Sequence, residues 1–407
     1  MRDRLWLAFS STTVLLSPPL CIVGVLVSMS NADFVDPYWL DLSSKSTVSV
    51  LFLAPGFSAL AAWDAAKWRN LMINAARSWI SVFSLIILYV AAATMATFLL
   101  TLLALMAQVT PSVGFPRLDV LALGVAVTCA YTAFGFLLGR FLPGLVAAPL
   151  AFVVIWGWVA YTPAVQPFWL RNITGNIGSS CCSVDFQLVP LALLAPAVVA
   201  ASLLVAVMAV LAWPMRPLVW AFSVGIVGAA VALSATMMSD IGADPVQGRT
   251  GSQQCVENAG RKFCAWPEHA AELRQTAKNL GNAADALSSA GLDVPSTLRE
   301  NAKSKDRWSF SLNSGNVDFR AKTLILSQLD ELPPPCTDQT QGVWPAGVNF
   351  ELAGAWLLAV TGTPVTEAAE VSGASLPDLR RLLEEDLESQ AQWYESALSA
   401  MRSCDPV

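Results

Sequence analysis

The sequence predicts an α-helical polytopic membrane protein of about seven transmembrane helices, with a C-terminal extracytoplasmic domain that is mainly helical α+β. Three observations carry this reading. Seven stretches reach the ~20 mostly apolar residues that a bilayer crossing needs. Charged residues make up only 13% of the chain, with mean hydropathy +0.54, against about 25% charged in an ordinary soluble domain. The charge is also unevenly placed. Residues 1–238 hold ten Lys/Arg, seven Asp and no Glu, a formal +3, whereas 239–407 hold 14 Lys/Arg against 23 Asp/Glu, a formal −9. The step near Ser239 separates a transmembrane domain, 1–238, from a soluble one, 239–407.

The apolar stretches are 5–30, 46–66, 79–107, 119–139, 143–163, 189–213 and 217–238. The first follows Met1-Arg-Asp-Arg4. It is too long for the core of a cleaved signal and has no clear small-residue cleavage site before Asp33, so it reads as a retained span. Stretch 79–107 is long enough to tilt. Pro18, Pro19, Pro149 and Pro196 fall within spans, where neighbouring helices can re-satisfy the freed carbonyls at a kink.

Basic residues in short loops set orientation. With the N-terminus inside, the inner segments carry Arg2, Arg4, Lys67, Arg69, Arg77, Arg140 and Arg216. The outer segments carry Lys45, Arg117 and Arg171, together with Asp33, Asp36, Asp41 and Asp185. Seven spans then leave the C-terminal domain outside. Cysteine placement agrees: Cys181, Cys182, Cys255, Cys264, Cys336 and Cys404 all fall on the outer side, and only Cys21 and Cys129 lie within spans. An oxidising compartment favours disulfides among the former. Cys255–Cys264 and Cys336–Cys404 is the preferred pairing, since Cys404 ends the last helix and would staple it back; free buried thiols are the alternative.

No Asp, Glu, Lys or His lies in the middle of a predicted span. Coupled transporters and pumps keep such a residue at depth, so this argues against a secondary transporter. There is no HExxH, no paired membrane Asp for an intramembrane protease, and no channel filter. GxxxxGK[ST] is absent, so any ATP hydrolysis belongs to another subunit. No cofactor or metal is expected. The acidic soluble part lacks the basic face that nucleic acid requires.

The inner segment Ala61-Ala-Trp-Asp-Ala-Ala-Lys-Trp-Arg-Asn-Leu-Met-Ile-Asn-Ala-Ala-Arg-Ser-Trp79 is the most informative. Trp63, Lys67, Trp68, Arg69, Leu71 and Met72 interleave basic and aromatic or apolar side chains. Such a short helix suits a membrane interface, as does an ordinary loop with aromatic anchors. The segment, with the Pro-Gly before it and the basic residue opening the next span, resembles permease subunits of ABC-2-type ATP-binding-cassette transporters. The likeness is closest to an actinobacterial type with an extracytoplasmic C-terminal domain. A second likeness is Cys255…Cys264-Ala-Trp-Pro-Glu-His269 after the last span, which is similar to the opening of that domain. The resemblance implies that 61–79 is a coupling helix docking on a separate ATPase subunit. It also implies a second permease copy or a related permease in the same bilayer. Ordinary members have six spans, and span seven here departs from that pattern.

In the soluble part, Pro267–Ala290 reads as a helix stopped by Gly291, with Leu273, Ala277, Leu280, Ala284 and Leu287 as its apolar stripe. Trp308–Leu312 and Val317–Leu326 around Asn313-Ser-Gly-Asn316 predict a β-hairpin. Pro333–Pro335 is a rigid break, and Phe350–Thr361 is a second helix. Leu376–Arg402 is a third, long one, with Glu384, Glu385, Asp386 and Glu388 on its wet side. His269, the chain's one histidine, has no zinc-spaced companions and is read as a packing residue at a helix start. Trp266, Trp344, Trp356 and Trp393 are read as core or interface residues, with a ligand surface as the alternative.

The expected function is the transmembrane subunit of an ATP-binding-cassette exporter for a hydrophobic or amphipathic compound. The alternative is a non-transporting membrane-anchored receptor or assembly factor acting through its outer domain. An integral-membrane enzyme lacks a catalytic cluster.

Overall fold

The computed structural model describes residues 11–30, 35–72, 76–109, 113–175, 183–241, 245–300, 308–312, 317–329 and 349–402. The chain divides into two compact units, Met1–Thr250 and Gly251–Val407. The division falls beyond the charge step at Ser239 because strand β2 (Val246–Gly248) pairs antiparallel with β1 (Phe186–Leu188) inside the first unit.

The first unit is a helical bundle. Its helices are α1 (Thr12–Ser30), α2 (Trp39–Ser46), α3 (Val50–Met72), α4 (Ala76–Met106), α5 (Leu118–Phe141), α6 (Gly144–Tyr161), α7 (Leu191–Ala212) and α8 (Pro217–Met238). Among the described residues, seven helical stretches are long and apolar enough to cross a membrane. Five match the sequence reading closely, and the first, Thr12–Ser30, starts seven residues later than expected, with 5–10 outside the described residues. The second is longer, Trp39–Arg69, because α2 continues through a 3-10 turn at Thr47–Ser49 into α3. At 1.5 Å per residue its 31 residues extend about 46 Å, well past a ~30 Å hydrocarbon core. Asp41 and Lys45 therefore belong to a helix and not to an outer loop.

Packing in this bundle depends on small and polar side chains. The buried positions of α1 are Thr13, Ser17, Gly24 and Ser28, while Leu15, Ile22 and Leu26 are exposed. Lipid is as apolar as leucine, so an inward leucine gains little, whereas inward hydroxyls find partners. Ser17 bonds Tyr89, and Ser28 accepts from the Ser49 amide at 3.1 Å. A β-carbon at Gly24 would sit 3.2 Å from Ser49 Cβ and 3.3 Å from Thr97 Cγ2. The closest approach joins α3 and α5. β-Carbons built at Gly135 and Gly139 would overlap the carbonyls of Ser58 and Ala62. This is a glycine pair at i,i+4 spacing letting two backbones touch.

The second unit holds a four-stranded sheet of order β3-β4-β5-β6: β3 (Gln254–Asn258), β4 (Arg261–Ala265), β5 (Thr297–Glu300) and β6 (Ser309–Phe310). The first pair is antiparallel and the next two are parallel. Around it lie α9 (Ala270–Ser289), α10 (Val317–Leu326), α11 (Phe350–Val360), α12 (Val365–Ser372), α13 (Leu376–Leu383) and α14 (Leu387–Arg402). All five residues of the predicted α9 stripe are buried, and Gly291 ends that helix at φ +91°. Its amide bonds the Ser288 carbonyl and that of Leu292 bonds Leu287, a left-handed cap that favours glycine. Trp356 is fully buried, stacks on Tyr394 and donates its indole N–H to Gln390 at 2.9 Å.

Two expectations are corrected. Val317–Leu326 is a helix and not the second strand of a hairpin. Its inward residues Ala321, Leu324 and Ile325 follow helical spacing, and Ala, Lys and Leu are good helix formers. Strand β6 pairs instead with β5. The long helix 376–402 is two helices, broken at Glu384–Asp386. Asp386 caps the second by accepting the Ser389 amide at 3.0 Å and its hydroxyl at 2.7 Å. Pro333–Pro335, Cys336, Trp344 and Cys404, like Cys181 and Cys182, lie outside the described residues.

Candidate functional site

The segment read as a separate interfacial helix is the end of the second span's own helix, since α3 runs unbroken to Met72. Its residues sort by face. Ala61, Asp64, Ala65 and Trp68, spaced i, i+3, i+4, i+7, are buried, and this is the bundle-facing stripe. Trp63, 39% exposed, and Lys67, four residues on, point the other way.

This corrects the view of Trp68 as an anchor offered to a partner. It is 1% exposed and belongs to the core of the bundle. The side chains of Leu71 and Met72 lie outside the described residues. Arg69 donates to the carbonyl of Phe141 at 3.3 Å, and Arg140 donates to that of Leu211 at 3.3 Å while lying 5.0 Å from the Trp79 ring centre. Each arginine thus satisfies a carbonyl at a helix C-terminus, where cations are favoured.

Asp64 is fully buried. Its carboxylate accepts four hydrogen bonds from the start of α1: Ser11 Oγ at 2.9 Å, Thr12 N at 2.8 Å, Thr13 N at 2.8 Å and Thr13 Oγ1 at 2.7 Å. The first amides of a helix have no intrahelical partner and carry its positive dipole end. A carboxylate from a neighbouring helix meets both needs. The acidic residue of the motif therefore ties α3 to α1.

A second polar cluster occupies the opposite end of the same span. Lys45 Nζ lies 3.0 Å from Asp41 Oδ2, which also accepts the Asp36 amide at 2.9 Å. Asp36 in turn accepts the Val184 amide at 3.1 Å. Arg249 lies 4.6 Å from the Tyr38 ring centre and donates to the Val184 carbonyl at 3.1 Å. These bonds tie the loop before β1 to the start of α2. The i,i+4 spacing of Asp41 and Lys45 was the available signal.

In the second unit, Cys255 and Cys264 are directly opposed on β3 and β4 and form a disulfide. Beside it lies a buried pair not foreseen from sequence. His269 Nδ1 is 2.6 Å from Glu300 Oε1, and Glu300 Oε2 accepts the Trp266 amide at 3.0 Å. Glu300 faces inward because β5 alternates exposed and buried positions. Thr297-Leu-Arg-Glu300 has a single apolar residue, so nothing in the sequence marks this inward acid. Among the described residues, no group of three or more His, Cys, Asp or Glu has metal-binding geometry.

A family model described as a domain of unknown function, DUF7224, matches residues 263–404. The match covers less than half of the chain and none of its spans. No curated protein and no solved structure matches the chain.

Proposed function

We propose that this chain is the transmembrane subunit of an ATP-binding-cassette transporter of the ABC-2 type, set in a bacterial plasma membrane. A separate ATPase subunit supplies the energy, and a second copy or a related permease completes the pathway. The cargo is a hydrophobic or amphipathic compound moved outward. The N-terminus is cytoplasmic and the 251–407 unit extracytoplasmic, in keeping with the basic-residue count and with a disulfide between Cys255 and Cys264.

One observation carries the reading: the two-sided end of α3. Its outer face offers exposed Trp63 and Lys67, while its inner face is fixed to α1 through Asp64 and to α5 through Gly139 and Arg69. A force applied by an ATPase at Trp63 and Lys67 passes directly to the first and fourth spans. Affinity purification in mild detergent tests this. The wild-type chain should bring an ATPase with it, and a Trp63→Ala/Lys67→Glu double variant should lose it without a change in melting temperature. Absence of any ATPase from the wild-type complex would overturn the proposal.

The second reading is a receptor or assembly factor anchored by its spans. It is favoured by the confinement of the family match to 263–404. The same purification would then recover a partner held by residues 251–407 and no ATPase.

A further inference from the structure

We propose that a groove on the first unit holds one acyl chain of a bilayer phospholipid as a long-lived ligand. The proposal needs only that the unit lies in a membrane and does not rest on the transporter reading. The groove lies between α5, α6 and α7, has a volume of about 450 Å³, and is walled by Tyr131, Phe134, Ile155, Trp158, Leu170 and Leu203. This is within the ~300–1,000 Å³ of small-ligand sites.

Its chemistry selects hydrocarbon. The Trp158 indole N–H donates to the Tyr131 hydroxyl at 3.0 Å, and Tyr131 donates to the Thr174 carbonyl at 2.9 Å. The Thr162 hydroxyl donates to the Trp158 carbonyl at 2.8 Å. The polar atoms of Tyr131, Trp158 and Thr162 in the wall are thus spent on one another or on a nearby carbonyl, and a polar ligand would lose its solvation with little in return. Tyr161, an exposed residue of the groove wall that lies edge-on to Trp156, has the amphipathic ring that favours the headgroup level. The wall is fixed and aromatic, so a chain lying in it gains dispersion contacts that a fluid neighbour cannot offer.

Its size selects a chain over a helix. A single α-helical turn, ~10 Å wide and 5.4 Å tall, fills roughly 400 Å³. The groove would seat one turn of a partner and leave the rest outside, whereas a flexible chain can follow it. The space also has a sequence cause. Gly157 lines the groove, and a β-carbon there would meet nothing within 4 Å.

The test uses the full chain. After extraction in detergent and exchange into a delipidating detergent, native mass spectrometry should show one phospholipid retained per wild-type chain. Gly157→Leu, which fills the groove, should lower that occupancy at least tenfold. Gly225→Leu, at a glycine equally open but on α8 outside the groove, should retain it. Should Gly157→Leu fail to fold, wild-type protein in phosphatidylglycerol vesicles with a photoreactive acyl chain keeps the question open to decision. Crosslinks should concentrate on Phe134, Trp158 and Leu203. Loss of all lipid from wild type, retention by folded Gly157→Leu, crosslinks spread evenly over the spans, a retained mass matching another compound, or release of a second copy of the chain and not of lipid by Gly157→Leu would each overturn the proposal.

Discussion

Asp64 and Thr13 hold the first two spans together: the Thr13 amide and hydroxyl both reach one carboxylate oxygen, at 2.8 and 2.7 Å. Hydrogen bonds to a charged acceptor contribute about 1.5–3 kcal/mol each, and stranding buried donors costs a similar amount. Asp64→Ala should therefore destabilise the helical unit by about 3 kcal/mol or more. A fall of roughly 6–12 °C in melting temperature follows, at about 2–4 °C per kcal/mol for a unit of this size. Thr13→Val, which keeps the amide bond, should cost about 1 kcal/mol. Melting in detergent checks both. An unchanged Asp64→Ala would mean that the cap contributes nothing.

The contact of α3 with α5 makes a sharper prediction. At Gly139 any side chain meets the backbone of Ala62, which cannot swing aside as a side-chain tip can. Gly139→Leu should prevent assembly of the bundle and send the protein to degradation, whereas Gly225→Leu, in open space, should accumulate normally. Equal yields of folded protein by fluorescence size-exclusion would contradict the close approach.

Much of this architecture was legible because a bilayer imposes a length and composition that a sequence displays directly. What was hidden is which face of each span looks inward. Apolar periodicity reveals that face in water, but α1 turns Leu15, Leu16 and Leu26 outward and Thr13, Ser17 and Ser28 inward, with Leu20 as its one leucine against the core, so the usual pattern is largely inverted. Asp64 falls at the end of an apolar run, and nothing in its own neighbourhood says that its partners lie about fifty residues upstream. Trp68 and Trp63 read alike in the sequence, and only the helical phase set by Ala61, Asp64 and Ala65 separates core from surface. In the second unit the α9 stripe was plain. The alternation of Val317–Leu326 imitated a strand until tertiary packing selected the helical period. Glu300 and His269 are distant in sequence and unremarkable singly, so their pairing waits on the sheet.

Asp386 gives a pH prediction. Its hydrogen bonds from Ser389, amide first and then hydroxyl, hold its carboxyl below the ordinary value of 3.8. Because the folded value is the lower one, its stabilisation is complete above the unfolded value and fades as pH falls through the folded one. Asp386→Asn keeps a good cap without the charge. It should melt close to wild type at neutral pH and lose less stability between pH 5 and pH 3. A parallel loss in the two proteins would show that Asp386 does not contribute to the acid sensitivity.

The disulfide makes topology measurable. Cys255 is exposed on an edge strand, while Cys264 beneath it is buried. On intact cells, an impermeant maleimide should label Cys255 only after reduction, if the second unit is extracytoplasmic. Labelling that requires lysis would reverse the orientation. The bond spans a separation of nine residues, worth roughly 2.7 kcal/mol on the chain-entropy estimate. Cys255→Ser/Cys264→Ser should therefore lower the melting temperature of the domain measurably.

The last prediction separates coupling from packing at the end of α3. Trp68 is enclosed by the bundle, so Trp68→Ala leaves a cavity and should cost about 3–5 kcal/mol. Any loss of ATPase association in that variant would follow from damage to the bundle. Trp63 and Lys67 stand on an exposed face outside the buried core cluster, although the Trp63 ring also edges Gly144 at the start of α6. If an ATPase docks there, a few anchors carry most of the binding energy. Trp63→Ala should then weaken association at least tenfold, and Lys67→Glu should do so more strongly at low salt than at high salt, since an exposed charge is screened. Melting temperature should stay within a degree or two of wild type for both. If the face only rests in lipid headgroups, Trp63→Leu and Trp63→Ala should differ little and neither should alter ATP turnover by the complex. The comparison of Trp63→Ala with Trp68→Ala, scored together for melting and for ATPase recovery, decides between the two: loss of the ATPase with retained melting in the first variant is the signature of docking, and loss only where melting also falls would leave the α3 end as part of the scaffold.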